Sequence, residues 1–335
     1  MELRVAVVGT GAFGRNHLRV YSELAGVELA AAVEPDAERA AEVERQYGIP
    51  VFRTVEAALR ADLKLDAASV AVPTMSHCAV AGELLRAGVD CLVEKPLATT
   101  LAEADELVAL AERHGRILQP GHLERFNPAV LAMEREVRGP MFFEAHRLSV
   151  FTPRSLDVDV VLDLMIHDLD VVLRFAGSGV SEVRAVGLPI LSGKVDIANV
   201  RVEFESGCVA NFTASRVSTE RVRKLRYFEP GRYVSIDYAR RDVLVIGVAE
   251  GFKLESAMAA GAAAGFVDGL PGLSFTKPEV GRGEPLRLEL EAFCESVKTR
   301  AQPRVTARDG REALSLALEI QKQMANHAHR AGLTG

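Results

Sequence analysis

Residues 1–14 read MELRVAVVGTGAFG, a short apolar run that enters a turn containing three glycines. The run Leu3–Val8 is rich in β-branched residues, which is typical of a buried strand. Gly9, Gly11 and Gly14 follow with the spacing G-x-G-x-x-G, and the segment after them favours a helix. A strand, a glycine turn and a helix in this order predict a site where backbone N–H groups bind the pyrophosphate of a dinucleotide.

An acidic residue follows at the distance that such a site requires. The apolar run Val27–Val33 is followed directly by Glu34, 20 residues beyond Gly14. A carboxylate at this point holds the adenosine ribose hydroxyls. It also repels a 2′-phosphate by up to ~4 kcal/mol when the two charges are ~4 Å apart at an effective dielectric of ~20. Glu34 therefore favours NAD, and Arg39 nearby keeps NADP as the alternative cofactor.

The composition limits the partners of this chain. Its 335 residues predict two domains, and its 48% hydrophobic and 26% charged content is typical of a soluble globular protein. The net charge of −6 argues against nucleic acid and membrane surfaces as partners. A strand that begins at residue 3 leaves no room for a signal peptide. The scattered cysteines predict reduced thiols, no metal site and a cytoplasmic location; they are Cys78, Cys91, Cys208 and Cys294.

The pattern of elements changes along the chain. Strands alternate with helices up to about residue 119, which predicts an α/β Rossmann domain with a doubly wound parallel sheet. From about residue 141 the chain is rich in strands, which predicts an α+β domain with an open, mostly antiparallel sheet. We therefore divide the chain into a dinucleotide-binding domain, 1–120, and a substrate-binding and oligomerisation domain, 121–335. The last helix is a candidate to pack back on the first domain.

Three further segments carry predictions within the second domain. The predicted strands are 142–151, 180–190, 195–204, 209–215 and 233–238. An Ala- and Gly-rich stretch, 257–283, predicts a long loop. Basic residues that alternate at strand spacing predict a solvated or oligomer-facing edge; they are Arg221, Arg223, Lys224 and Arg226.

The helix predicted around 160–175 is apolar nearly all round, so we expect it to be buried. Asp163, His167 and Asp170 lie at offsets 0, 4 and 7, which places them on one face. A buried polar stripe is costly unless it is paired or faces a wet pocket. Asp163 lies one turn before His167 and would fix its tautomer, which suits general acid–base work. The alternative is a core histidine that a structural aspartate satisfies.

The tripeptide Glu94-Lys95-Pro96 directly follows the fifth predicted strand. A lysine at the carboxyl edge of the sheet lies where a nicotinamide ring binds. Its ammonium group can hold a hydroxyl or polarise a carbonyl through charge-assisted hydrogen bonds. Pro96 fixes the local turn and is a candidate for a cis peptide bond.

Five motifs in this order resemble the Gfo/Idh/MocA oxidoreductase family, and together they span nearly the whole chain. They are GTGAFGRNH at 9–17, VPTMSH at 72–77, EKPL at 94–97, GHLERFNP at 121–128 and DLMIHDLD at 163–170. The resemblance implies NAD(P)-dependent hydride transfer between a sugar or polyol hydroxyl and nicotinamide. It also implies a homodimer or homotetramer formed through the open sheet of the second domain.

The resemblance assigns roles residue by residue. It implies that Lys95, Asp163 and His167 are catalytic. The implied cofactor-binding residues are Gly9, Gly11, Ala12, Phe13, Gly14, Glu34, Pro73, His77, Glu94 and Lys95.

A finer resemblance concerns the substrate. The stretches GHLERFNPAV and FTPRSLDVDVVLDLMIHDLD are similar to those of bacterial nucleotide-sugar dehydrogenases. The candidate substrate-binding residues are Lys95, Arg125, Asn127, Arg154 and His167, with Arg147 as a further arginine of this kind. The alternatives are a dehydrogenase of a free sugar or polyol such as inositol, and a dinucleotide-binding sensor without catalysis.

Overall fold

The computed structural model describes residues 2–152, 158–253 and 272–333. The chain divides into two compact units, Met1–Phe126 with Gly283–Ser315 and Asn127–Arg282 with Leu316–Gly335. The sequence division at residue 120 placed 283–315 in the second domain, whereas in the structure this stretch folds with the first unit.

The first unit contains a six-stranded parallel sheet in the order β3-β2-β1-β4-β5-β6. The strands are β1 Leu3–Val8, β2 Val27–Val33, β3 Val51–Phe52, β4 Ala67–Val70, β5 Asp90–Glu94 and β6 Leu118–Gly121. The strand order reverses beside β1, where the chain crosses from one side of the sheet to the other. Ligands of such sheets bind at the carboxyl ends of the strands at this switch point. The predicted Rossmann fold is confirmed.

The helices of this unit differ in how their first turns are capped. They are α1 Gly14–Glu23, α2 Ala37–Tyr47, α3 Val55–Arg60, α4 His77–Arg86, α5 Leu101–His114 and α8 Pro285–Thr299. Side chains of Asp36, Thr54 and Thr100 accept backbone N–H bonds at the starts of α2, α3 and α5. No side chain caps α1, which follows the glycine turn. The first N–H groups of this helix, at Arg15 and Asn16, donate instead to carbonyl oxygens of the glycine turn, those of Gly11 and Phe13.

Helix α8 folds with the first unit because it completes the core there. Leu290 and Phe293 of α8 lie in one buried cluster with Leu18 and Tyr21 of α1 and with residues of β1. Just after α8, the Arg300 guanidinium binds the buried carboxylate of Asp90 at the start of β5. The sequence pattern does not predict that α8 packs in the first unit, because an amphipathic helix has the same pattern whichever domain it packs against.

The second unit is built on an eight-stranded sheet in the order β14-β13-β12-β11-β7-β10-β9-β8. The pair β7–β10 is parallel, and the other described pairs are antiparallel. The strands are β7 Phe142–Leu148, β8 Val180–Leu188, β9 Ile197–Phe204, β10 Val209–Ser215, β11 Val222–Glu229, β12 Arg232–Asp237, β13 Asp242–Val248 and β14 Leu273–Thr276. The helices are α6 Pro128–Glu134, α7 Ile166–Ala176 and α9 Ala307–Arg330, of which α9 starts in residues of the first unit.

One face of this sheet is buried and the other is partly open. In β7, Phe143, Ala145 and Arg147 are buried, and the residues between them are half-exposed. The register of β10 and β11 with β7 places the buried residues of these two strands on the same face as those of β7. The predicted open, mostly antiparallel sheet is confirmed. Within the described residues, no helix is long and apolar enough to cross a membrane.

Two predictions for this unit need correction. The basic cluster at 221–226 does not lie on an edge, because β11 pairs with both β7 and β12 inside the sheet. The cluster is also divided between faces: Arg226 forms an ion pair with Glu144 at 3.0 Å across the open face. Of the predicted loop at 257–283, residues 257–271 lie outside the described residues, and Leu273–Thr276 form β14.

Candidate active site

The three glycines of the first turn meet three different constraints. Gly9 has φ +86°, and a Cβ there would lie 2.7 Å from the Ala71 carbonyl oxygen. A Cβ on Gly14 would lie only 1.9 Å from the Gly9 carbonyl oxygen, so the start of α1 rests on the turn itself. A Cβ on Gly11 would meet no atom within 4 Å. Gly11 therefore faces open space, as a backbone that a pyrophosphate approaches must do.

Glu34 lies at the carboxyl end of β2 and is 2% exposed. Thr10 donates its N–H and its hydroxyl to Glu34 Oε2 over 3.0 and 2.8 Å. The Asp36 N–H and the Arg39 guanidinium donate to Oε1 over 2.9 and 3.0 Å. Burial alone would raise the pKa of Glu34, but these hydrogen bonds outweigh it and lower the pKa to about 2. The carboxylate is thus ionised at neutral pH.

Arg39 is the exposed partner among these donors, since about half of its side chain reaches solvent. An incoming ribose hydroxyl has to replace or share this contact, because the other donors are buried or belong to the backbone. Thr10 is a residue that the sequence analysis missed. Its signal was a hydroxyl residue between two turn glycines, facing a carboxylate 24 positions away.

His77 binds two loops together at the carboxyl edge of the sheet. Its Nδ1 lies 2.9 Å from the Pro96 carbonyl oxygen, and its Nε2 lies 3.0 Å from the Val72 carbonyl oxygen. Burial lowers the pKa of His77, although both carbonyls act against the shift. His77 therefore joins the loop after β4 to the Lys95-Pro96 segment through its two ring nitrogens.

Lys95 is half-buried directly after β5, and its peptide bond to Pro96 is cis. The carboxylate of Glu94 before it is 8% exposed and lies 3.0 Å from His17 Nε2. Pro73 is exposed after β4, and Ala12 and Phe13 are exposed in the glycine turn. These residues all follow the carboxyl ends of neighbouring strands, where the sequence placed them.

The candidate substrate residues have local partners of their own. Arg125 is buried and donates to the Arg304 carbonyl oxygen at 3.4 Å. The Asn127 amide is also occupied: its oxygen accepts the Ala129 N–H at the start of α6, and its nitrogen donates to the Tyr238 carbonyl. Arg154 lies outside the described residues. These substrate assignments therefore stay predictions.

Arg147 is held inside the second unit. Its guanidinium makes two bonds to the Asp168 carboxylate, of 2.8 and 2.9 Å, and lies 5.1 Å from the centre of the Tyr238 ring. Both partners of this ion pair are nearly fully buried. Asp168 is next to His167, so the pair fixes the helix that carries the histidine. The sequence analysis missed Asp168 because it lies outside the polar stripe of offsets 0, 4 and 7.

The helix that carries His167 begins as a π-helix. Val161–Met165 form π-helical turns, and the Ile166 N–H donates to the Val161 carbonyl five residues back. Asp159 binds the first N–H groups at 161 and 162 over 2.9 and 3.1 Å. Asp163 and His167 are half-exposed, and Asp170 is buried. The predicted burial of this helix is confirmed, whereas its regular α-helical spacing is wrong; π-helical turns are frequent at functional sites.

The first unit has the attributes of a nucleotide-binding Rossmann domain: a parallel sheet with a switch point, a turn of three glycines and an uncapped helix after it. Residues 3–122 match the family model of an oxidoreductase family with an NAD-binding Rossmann fold, Gfo/Idh/MocA, and residues 130–229 match a Gfo/Idh/MocA C-terminal domain. The chain belongs to the Gfo/Idh/MocA oxidoreductase family.

Individual relatives are similar to different extents. UDP-N-acetylglucosamine 3-dehydrogenase of Acidithiobacillus ferrooxidans is 35% identical over 96% of this chain and 97% of its own length. A solved structure of that enzyme has a TM-score of 0.87, with 96% of this chain and 97% of the other covered at 34% identity. The NAD-dependent scyllo-inositol 2-dehydrogenase of Bacillus subtilis is 27% identical over 65% of this chain and 68% of its own.

A more distant structure shares the fold. An oxidoreductase from Agrobacterium radiobacter, solved with NAD+, L-tartaric acid and magnesium, has a TM-score of 0.82 at 18% identity. The alignment covers 98% of this chain and 97% of the other. Fold similarity therefore extends well beyond the range of sequence similarity.

Two glycine substitutions should separate folding from cofactor binding. Gly14→Ala should lower the free energy of unfolding by about 2 kcal/mol or more, because its methyl group meets a backbone oxygen. Gly11→Ala should leave stability within about 0.5 kcal/mol and raise the Kd for NADH at least about tenfold, because its methyl group enters the open space. Urea unfolding and the fluorescence of bound NADH measure the two effects. Equal NADH affinity in Gly11→Ala and the unaltered protein would contradict this role for Gly11.

Glu34 should make a stability contribution that depends on pH. Its native pKa of about 2 lies below the ordinary 4.5, so the ionised form stabilises the fold above pH 4.5 and this gain disappears as the pH falls towards 2. Glu34→Gln should therefore lower the free energy of unfolding by about 3 kcal/mol at pH 7. Urea unfolding at pH 7, 5, 4 and 3 should show the two proteins converging. Parallel curves across this range would rule out the proposed contribution.

Proposed function

We propose that this protein is a dehydrogenase that oxidises the 3-hydroxyl of UDP-N-acetylglucosamine with NAD, in a pathway that makes the diamino sugar of lipid A. The observation that carries the proposal is similarity to an enzyme of that name through both units, at 35% identity over 96% of this chain. The inositol dehydrogenases among the relatives are similar over a smaller part of it. The nucleotide sugar is therefore favoured over a free sugar or polyol.

The cofactor assignment has support in the local geometry. A Cβ would fill the space in front of Gly11, and the first turn of α1 has no side-chain cap. These two features fit a pyrophosphate, and the ionised Glu34 fits ribose hydroxyls and disfavours a 2′-phosphate. NAD supplies the acceptor for the hydride when it is bound. We therefore expect NAD to be preferred over NADP.

We assign the chemistry to Lys95, Asp163 and His167. His167 takes the proton of the sugar hydroxyl as general base, and Asp163 fixes its ring orientation. The Lys95 ammonium group stabilises the negative charge that develops on the oxygen. The half-exposed state of all three side chains supports these roles, since each is accessible within its own unit.

The proposal predicts a specific pattern of turnover. The protein with NAD should oxidise UDP-N-acetylglucosamine, seen as NADH absorbance, and should be inactive on inositol and glucose. Lys95→Met and His167→Asn should each lower kcat at least about a hundredfold, in line with the loss of a proton-transfer or charge-stabilising group. Arg60→Gln on the exposed surface of α3 is the matched control and should keep full activity.

The outcomes of that assay separate the alternatives. Turnover of inositol but not of the nucleotide sugar would identify a polyol dehydrogenase. NADH binding without turnover of any sugar would favour a dinucleotide-binding sensor. Near-normal kcat in both Lys95→Met and His167→Asn would overturn the catalytic assignments.

We also propose that the open face of the large sheet binds a second copy of this chain. Strand register aligns a row of partly exposed large apolar side chains across five neighbouring strands. The row is Phe142, Phe228, Tyr233, Ile246 and Phe275. Ring centres in it are 5.6 and 5.1 Å apart between neighbouring aromatics. A continuous apolar row on a sheet face favours a protein interface.

The four cysteines form no disulfide, which agrees with a cytoplasmic location.

A charge placed in this row should dissociate the oligomer. Tyr233→Glu should convert a dimer or tetramer to a smaller species at micromolar concentration, because an interfacial carboxylate would lose its hydration. Light scattering after size-exclusion chromatography gives the mass. Ile190→Glu is the matched control, since Ile190 is 54% exposed on a loop away from the row. A monomeric unaltered protein would refute this proposal.

A further inference from the structure

His17 is a fully buried histidine that the proposed chemistry does not use. It lies on α1, three residues beyond Gly14, and its exposure is 0%. Its Nε2 lies 3.0 Å from Glu94 Oε1, and because a carboxylate only accepts, Nε2–H is the donor. The bond joins the helix that follows the glycine turn to the residue directly before Lys95.

Neighbouring residues restrict the side chains of both His17 and Glu94. The Phe13 ring is 5.7 Å from the His17 ring, and the Tyr21 ring is 6.4 Å away on the other side along α1. Gly121 is close to the carboxylate: a Cβ there would lie 2.9 Å from Glu94 Oε1. The imidazole is thus held between two rings, and the carboxylate has room only because its neighbour on β6 is a glycine.

Stability alone does not account for such a pair. A buried charged group with its hydrogen-bond partner is often no more stabilising than apolar side chains of similar volume, whereas the bond fixes geometry and direction. His17 Nδ1 makes no hydrogen bond to the described residues, so the ring is not part of a larger satisfied network. What the bond does fix is the position of the Glu94 side chain at the carboxyl end of β5.

We propose that His17 is a positioning residue for hydride transfer: through Glu94 it fixes the start of the Lys95-Pro96 segment relative to helix α1. The phosphate-binding turn precedes α1, and Lys95 follows Glu94, so this hydrogen bond links the two ends of the cofactor site in addition to the sheet and to the contact of His77 with Pro96. The inference deepens the proposed function, because it takes the role of Lys95 from there. Its effect on NADH binding does not depend on the sugar.

A matched pair of substitutions tests this role. The amide of a glutamine reaches the place of Nε2, whereas the amide of an asparagine reaches only that of Nδ1. His17→Gln should therefore keep the bond to Glu94, and His17→Asn should lose it. We expect His17→Asn to raise the Kd for NADH at least fivefold and to lower kcat at least tenfold, with KM for the sugar within twofold. His17→Gln should stay within threefold of the unaltered protein in all three.

Tyr21→Phe is the control for packing on the same helix. It removes the hydroxyl that lies 2.8 Å from the Ser69 hydroxyl, one turn beyond His17, and leaves Glu94 untouched. We expect this variant to lower the melting temperature while its Kd for NADH stays unchanged. Equal NADH affinities in His17→Gln and His17→Asn, whether both normal or both reduced, would overturn the proposal.

A second measurement uses the unaltered protein, in case a substitution prevents folding. The measurement is the 15N NMR signal of the His17 imidazole, which is hydrogen-bonded to the Glu94 carboxylate, in protein with 15N-labelled histidine. Saturation by NADH should shift this signal, and the shift should occur without the sugar. An unchanged signal would overturn the proposal. If the protein binds NADH with this response but oxidises no nucleotide sugar, only the proposed substrate fails.

Discussion

The approach of Gly14 to the Gly9 carbonyl is the contact on which the nucleotide-binding unit depends. With only a hydrogen on each side, helix α1 starts against the strand that precedes it. This position determines what the helix presents further along: Leu18 enters the core, and Tyr21 bonds Ser69 beneath the sheet. It also brings His17 to Glu94, two strands away. A side chain at position 14 would displace all of these contacts together.

At the carboxyl edge of the sheet, the pKa values of two buried groups, Glu34 and His77, depend on different hydrogen-bond partners. Glu34 is buried but surrounded by donors, so it keeps its charge. His77 is buried between two carbonyl oxygens, and burial lowers its pKa although both carbonyls oppose the shift. Desolvation disfavours the charged form of both groups, and the direction of each pKa shift depends on whether the hydrogen-bond partners outweigh it. The edge of the sheet thus carries a fixed negative charge at Glu34, and His77 shapes the segment that contains Lys95.

The sequence predicted most of what depends on local pattern. Leu3–Val8 was found to the residue, because a β-branched run before a glycine turn has few alternatives. The return of α8 to the first unit was not predictable, because the bond between Arg300 and Asp90 links positions 210 residues apart. The interior place of β11 was missed for a related reason. Its charges suggested an edge, whereas the pairing of Arg226 with Glu144 across strands is a tertiary event.

The residues of the candidate site likewise fall into two groups, those that a sequence pattern predicts and those that it does not. The glycines and the acidic residue after β2 could be proposed from sequence because their spacing alone marks them, and the structure places Gly11 at open space and Glu34 at the end of β2. His17 and Asp168 have partners that lie far along the chain, and no spacing rule marks them. Arg147, a further candidate for substrate contact, forms an ion pair with the buried Asp168, and its role toward substrate stays a prediction. Charge alone does not distinguish a ligand-binding arginine from one that supports the helix beside it.

The π-helical turns at Val161–Met165 hold one residue more than regular α-helical turns would. An i to i+5 turn takes up that residue without rotating the helix that follows. Loss of one residue here would therefore let the turns become regularly α-helical, and His167 and the pair of Asp168 with Arg147 would keep their faces. Asp163, which lies within these turns, would change its position relative to His167. In the regular part of α7 the same loss would rotate everything after it by about 100°, so a change of length by one residue is expected to be tolerated only in the π-helical turns.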